Sequence, residues 1–249
     1  MPVDHPFRRT VRQFVIGEYD GSGRLQCYLL DPRYRGDGAE HYIRSLALLQ
    51  DDLFALFDYV EPADENRACY SFRIHSLLLR TCVELEANCK AILLANEYAA
   101  KGDWSMRDYM KIEGSHRLSS YQVRIPQWSG AHNTRAPFQA WKQGGKLSWY
   151  QAYNATKHDR YKAFKQANLD HLVDAFCGLL VVLSAQFHTH EFSSLVTFAR
   201  RNPNDFVNAI GRKLLVRFPS DWPDADKYEF FDWGVLEQEK DPFRNFPYP

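Results

Sequence analysis

The stretch from Asn168 to Phe187, NLDHLVDAFCGLLVVLSAQF, constrains the fold of this chain more than any other. It contains no proline, and Leu169, Leu172, Val173, Phe176, Leu179, Leu180, Leu183 and Phe187 recur at the spacing that places them on one side of a helix. A helix so apolar on one side must bury that side against other elements. Three further stretches offer partners. From Glu40 to Val60 the apolar positions Ile43, Leu46, Leu49, Leu53 and Phe57 have helical spacing. A second helix is expected from Asp64, as N-cap, to Ala100, with Leu78, Cys82, Leu85, Cys89 and Ile92 in heptad-like succession. A third is expected from Leu147, separated from the fourth by a break at Ala167-Asn168. The fold class predicted is mainly α, a four-helix bundle with an N-terminal β-hairpin and small β additions.

The organisation expected has three parts. Residues 1–39 form the hairpin, turning at Asp20-Gly-Ser-Gly23, followed by a loop. Residues 40–192 form the bundle, interrupted by an insertion at 103–146 with strand-like alternation at Ser119–Trp128 and Ala136–Trp141. Residues 193–249 form an α/β extension packed on the bundle, with a helix at Ser193–Arg200 and strands at Lys213–Phe218 and Lys227–Trp233.

Lysine plus arginine equals aspartate plus glutamate, 31 each, so any attraction to a polyanion must come from a local patch. The five cysteines fall singly, without zinc-site spacing, and predict free thiols in a reducing compartment. The N-terminus has no apolar signal core, and the greasiest run, Leu179–Leu183, is too short to span a bilayer. A cytoplasmic protein with no membrane partner is expected. The run Gln143-Gly-Gly-Lys146 lacks the flanking residues of a phosphate-binding loop, and His188-Thr-His190 lacks further ligands at metal-site spacing. No metal and no cofactor are expected.

The chemistry gathers in Tyr150–Phe164, YQAYNATKHDRYKAF. On one continuous helix at about 100° per residue, Tyr150, Tyr153, Tyr161 and Phe164 cluster on one side with Lys157 among them. Asn154 and His158 line the edge of that cluster. An amine set among rings needs a carboxylate or ring faces, because burying it alone is costly. Arg73, Arg80, Glu84 and Asn88 form a polar row on the second helix, so Glu84 is expected to face Lys157 or His158. One reading makes these residues an internal hydrogen-bond network that sets helix register. The other makes them a polar cleft for a nucleotide or RNA backbone, with Lys157, Arg160 and Arg80 on phosphate and Tyr150 or Tyr161 stacking on a base.

The stretch ELEANCKAIL of the second helix and YNATKHDRY of the third resemble the paired signature of the HEPN superfamily, the higher-eukaryote and prokaryote nucleotide-binding domains. The resemblance covers residues 40–100 and 147–187. It implies a HEPN-like four-helix bundle that binds RNA or a nucleotide, as a homodimer, in a bacterial defence or toxin–antitoxin setting; the binding residues expected from the cleft reading are Arg80, Glu84, Asn88, Tyr150, Asn154 and Tyr161. Many members are metal-independent ribonucleases with an arginine a turn or more before a histidine. Here Gln151, Ala152, Tyr153 and Asn154 occupy those positions ahead of His158, so the nuclease motif is absent. A rearranged nuclease remains an alternative, with His158 as general base and Lys157 or Arg160 stabilising the phosphorane. A non-catalytic dimeric interaction module is the other alternative.

Overall fold

The computed structural model describes residues 3–13, 15, 27–29, 37–188, 198–200, 206–229, 231, 233–236 and 238–249. Its helices are α1 (Asp37–Phe57), α2 (Phe72–Ala95), α3 (Met106–Met110), α4 (Ile112–His116), α5 (Ser148–His158), α6 (Arg160–Ala163), α7 (Leu169–Phe187) and α8 (Trp233–Leu236). Its strands are β1 (Cys27–Leu29), β2 (Gln122–Arg124), β3 (Thr134–Arg135), β4 (Phe198–Arg200), β5 (Val207–Asn208) and β6 (Leu215–Arg217). The protein is mainly α with small β additions.

The helix α7 lies against α2 along much of its length, and both α1 and α5 pack on this pair. Every residue from Ala175 to Phe187 is buried. Gly178 makes the close approach possible: a β-carbon there would stand 3.2 Å from the Trp149 ring on α5 and 3.3 Å from Leu85 on α2. The Trp149 indole N–H, taken out of water by this packing, donates to the Pro137 carbonyl of the insertion at 2.9 Å. By length and composition α7 is apolar enough to cross a membrane. It is 83% buried inside the protein over that window, the burial of a core helix.

Helix boundaries follow capping chemistry. The break expected at Ala167-Asn168 is present, because the Asn168 side chain accepts from the His171 N–H and starts α7. The helix α2 begins at Phe72, not Asp64, because Ser71 caps it by accepting from the Ile74 N–H. Asp64 sits in a separate 3-10 turn and turns its carboxylate to the insertion. It accepts from the Trp128 indole at 2.8 Å and from the backbone of Ala131 at 2.7 Å and His132 at 3.2 Å. Gly130, at φ 112°, fits under this carboxylate where a β-carbon would come within 2.4 Å of it.

The insertion and the C-terminal extension share one antiparallel sheet of order β3-β2-β6-β5. Val123 pairs with Val216, both fully buried. The stretch Ala136–Trp141, expected as a strand, enters a 3-10 turn at Gln139. Of the expected strand Lys227–Trp233, the described residues show a parallel bridge from Tyr228 to Val3, and Trp233 begins α8. The strand β1 pairs antiparallel with β4, so Phe198–Arg200 extend where a helix was expected. The expected turn at 20–23 and residues 193–197 lie outside the described residues.

Arg12 ties both ends of the chain to the bundle. Its side chain is buried, with the guanidinium 4.8 Å from the Phe7 ring, 4.9 Å from Trp222, 5.4 Å from Phe246 and 5.7 Å from Tyr228. It donates to the carbonyls of Ser115 at 3.1 Å and Asp226 at 2.9 Å. Burial lowers its pKa, and no carboxylate among the described residues makes an ion pair with it. Beside it the His116 Nε2 donates to the Arg9 carbonyl, which leaves Nδ1 to accept from Ser115, whose hydroxyl accepts from Tyr248. Burial pushes the His116 imidazole down to about 3, so it is neutral at physiological pH.

Candidate functional site

The stretch Tyr150–Phe164 does not form one helix. Asp159 adopts φ −139° and ψ 76°, ends α5, and caps α6 by accepting from the Lys162 N–H at 3.2 Å. The helical wheel is therefore valid only to His158. Beyond the break, Tyr161 points into solvent at 95% exposure and leaves the ring cluster in which it was expected.

Within α5 the rings do gather. Tyr150 and Tyr153 are buried against each other with centroids 5.3 Å apart. Lys157 donates to the Tyr153 hydroxyl at 3.1 Å, its amine 5.1 Å from the ring centre. The carboxylate across the seam is Glu86, not Glu84: Glu86 accepts from the Tyr150 hydroxyl at 2.7 Å. The Tyr153 hydrogen bond, with the Glu86 charge adding to it, raises the Lys157 pKa. Burial, and then Glu86, raises that of Tyr150 well above its ordinary value. Lys157 itself is exposed and forms no ion pair within 4.0 Å among the described residues. Among the described residues Glu84 and Lys157 therefore do not face each other as expected.

The polar row on α2 winds away from α5, because residues four apart drift about 40° around a helix. Arg80 forms an exposed ion pair with Asp52 of α1. Glu84 lines a groove between α1 and α2 beside Leu48 and Val83. Asn88 is buried, accepting from Gln186, which in turn accepts from Arg9. The network reading therefore holds for Asn88, with α7 as its partner. Asn154 is half buried, and the exposed His158 makes no hydrogen bond or ion pair among the described residues.

A different constellation forms where the end of α5, α6 and the following turn meet the start of α2. Phe164 contacts two exposed rings, with centroids 4.7 Å from Phe72 and 5.6 Å from Tyr70. Phe72 is 67% exposed and Tyr70 42% exposed. The guanidinium of Arg160 lies 5.6 Å from the Phe72 ring and the amine of Lys165 lies 6.0 Å from Tyr70. From Lys157 to Lys165 the chain carries Lys157, Arg160, Lys162 and Lys165 against Asp159 alone. Asp159 pairs with Lys162 at 3.6 Å. Arg160 and Lys165 thus stand beside exposed rings, whereas Lys157 lies over the buried Tyr153 ring. His75, on the first turn of α2, contacts Phe164, and burial lowers its pKa, with the Arg160 charge acting in the same direction.

Tyr70 and Phe72 were not singled out from the sequence. One signal was available: both precede the apolar stripe that starts at Ile74, so nothing in the helix pattern gives them a core to enter.

The patch has a rigid base. The segment before it is joined to the start of α7, with the Leu169 N–H donating to the Cys69 carbonyl and the Asp170 N–H to Arg67. Arg67 grips Asp170 with two bonds of 2.9 and 2.8 Å, and Arg135 of the insertion reaches Asp170 at 2.5 Å and Asp174 at 3.1 Å. Burial would raise the Asp170 carboxyl, but hydrogen bonds from Arg67 and Arg135 outweigh it and bring it to about 2. The Trp128 hydrogen bond, with His132 adding to it, holds Asp64 low as well. No group of three or more histidine, cysteine or carboxylate side chains among the described residues is arranged to hold a metal ion.

No protein-family model, curated protein or solved structure matches the chain.

Proposed function

We propose that this protein binds RNA or a nucleotide through the surface formed by Lys157, Arg160, Lys165 and the rings beside them. The observation that carries this is a local excess of cations on an otherwise neutral protein, with Arg160 and Lys165 beside exposed rings. Cations attract phosphate without regard to base identity, and ring faces add stacking. Kinship with the HEPN superfamily and a role in bacterial defence are proposed with it, on the likeness of α2 and α5 alone. The His158 imidazole has no described partner to orient it, and binding is proposed in place of cleavage.

Replacing Lys157, Arg160 and Lys165 together by glutamine is expected to weaken RNA binding by about 100-fold at low salt, with the salt slope falling by about 2. Fluorescence anisotropy across a salt series measures both. An unchanged affinity and slope would remove these three residues from the function.

A dimeric interaction module is a second reading, favoured by the exposed Leu48 and Val83, at 56% and 53%, beside the α1–α2 groove. Sedimentation is expected to show a dimer that Leu48→Glu with Val83→Glu converts to monomer. A monomer at every concentration of the unaltered protein would dispose of it.

A further inference from the structure

We infer that the surface takes unpaired nucleotides and rejects duplexes, with Tyr70, Phe164 and Phe72 as a stacking platform for at least two consecutive bases. This inference rests on the RNA-binding proposal above and deepens it. In a duplex both faces of each base are covered by its neighbours, and side chains meet only groove edges and the backbone. Exposed ring faces gain nothing from such a ligand. Here Phe72 and Tyr70 are both exposed and both contact Phe164. Each outer ring has its own cation, Arg160 for Phe72 and Lys165 for Tyr70. A base that stacks on Phe72, or on the guanidinium plane beside it, brings its phosphate to Arg160, and the next base repeats the arrangement at Tyr70 and Lys165.

The rings are not required by the fold in the way core aromatics are. Phe72 and Tyr70 lie outside the apolar stripe that α2 buries, and Phe72 contacts the ring of Phe164, which is itself only half buried. Exposing a large ring costs solubility, and a base is a ligand that would cover it.

The test uses the full chain and a labelled RNA of about 12 nucleotides, within the span such surfaces cover, chosen without self-complementarity. The same RNA annealed to its complement and inorganic polyphosphate are the comparison ligands. The single strand is expected to bind about 100-fold more tightly than the duplex, since stacking adds about tenfold or more per base. Tyr70→Ala with Phe72→Ala should remove most of that difference and leave duplex affinity within about twofold. Phe72→Leu, which keeps an apolar contact with Phe164 but has no flat face, should lose about tenfold for the single strand and guards against a folding defect. Equal binding of single strand and duplex, insensitive to the ring substitutions, would overturn the platform and leave phosphate binding intact. Binding of neither RNA nor polyphosphate would overturn both.

Discussion

Asp170→Ala is expected to lower stability by about 3 kcal/mol, although no catalytic or ligand-binding role is assigned to the residue. Asp170 is the shared acceptor of Arg67 and Arg135, and Arg135 is only 5% exposed. Removing the carboxylate leaves a buried guanidinium with Asp174 as its remaining described carboxylate, and a buried charge without its partner costs more than the pair contributed. Asp174 is a poor substitute, because burial raises its carboxyl pKa, which disfavours the charged form. Urea titration measures the loss. Adding Arg135→Met should restore part of it, since the stranded charge is then gone. A loss under about 1 kcal/mol for Asp170→Ala would mean that the network is solvated and weak.

The same pairing has a pH signature. Asp170 titrates near 2 in the folded protein, below its value of about 3.9 in an unfolded chain. A depressed carboxyl stabilises the fold above the unfolded pKa, and that contribution disappears as pH falls through the folded one. The network should therefore weaken between about pH 4 and pH 2. The acid side of the stability profile should be shallower in Asp170→Ala than in the unaltered protein.

Arg12→Ala is expected to cost about 4 kcal/mol. The substitution empties the space between four rings and leaves the carbonyls of Ser115 and Asp226 without their donor. Arg12→Lys separates the causes. A lysine retains the charge but not the planar fork that reaches both carbonyls while lying on rings, so about half the loss should remain. Guanidinium denaturation of the two variants decides the matter. Full stability in Arg12→Lys would assign the whole effect to charge, and full stability in Arg12→Ala would show that the aromatic cage closes without it.

Helices were legible to the extent that a single stripe faces a single core. The apolar positions of α7 and the 78, 82, 85, 89, 92 succession of α2 are buried as their spacing requires. The Asn168 cap was legible because a side chain that accepts from a backbone N–H three residues later acts locally. Asp64 looks like such a cap by the same rule, yet its carboxylate meets Trp128, 64 residues away, and Ser71 caps the helix instead. The site was legible in residue type and not in arrangement. Lys157 does find a ring hydroxyl and a nearby carboxylate, but the choice of Glu86 over Glu84 depends on how α2 is rotated about its axis. That rotation is set by α1 and α7, which no local pattern in α2 reports.

By itself the amino-acid sequence determined the period of the apolar stripes, the positions of the helix-breaking residues, and the concentration of cations between 157 and 165 in a neutral chain. These are properties of neighbours along the backbone, and short-range sterics, capping and spacing are enough to specify them. Tertiary structure alone decided that Tyr70 and Phe72 meet Phe164 at the surface, that Arg67, Arg135 and Asp170 close one ionic network, and that the insertion and the C-terminal segment share a sheet. Each of these joins segments that are distant in the chain. Their partnership follows from the packing of α2 against α7, because side chains without a local partner settle wherever that packing brings a complementary group within reach.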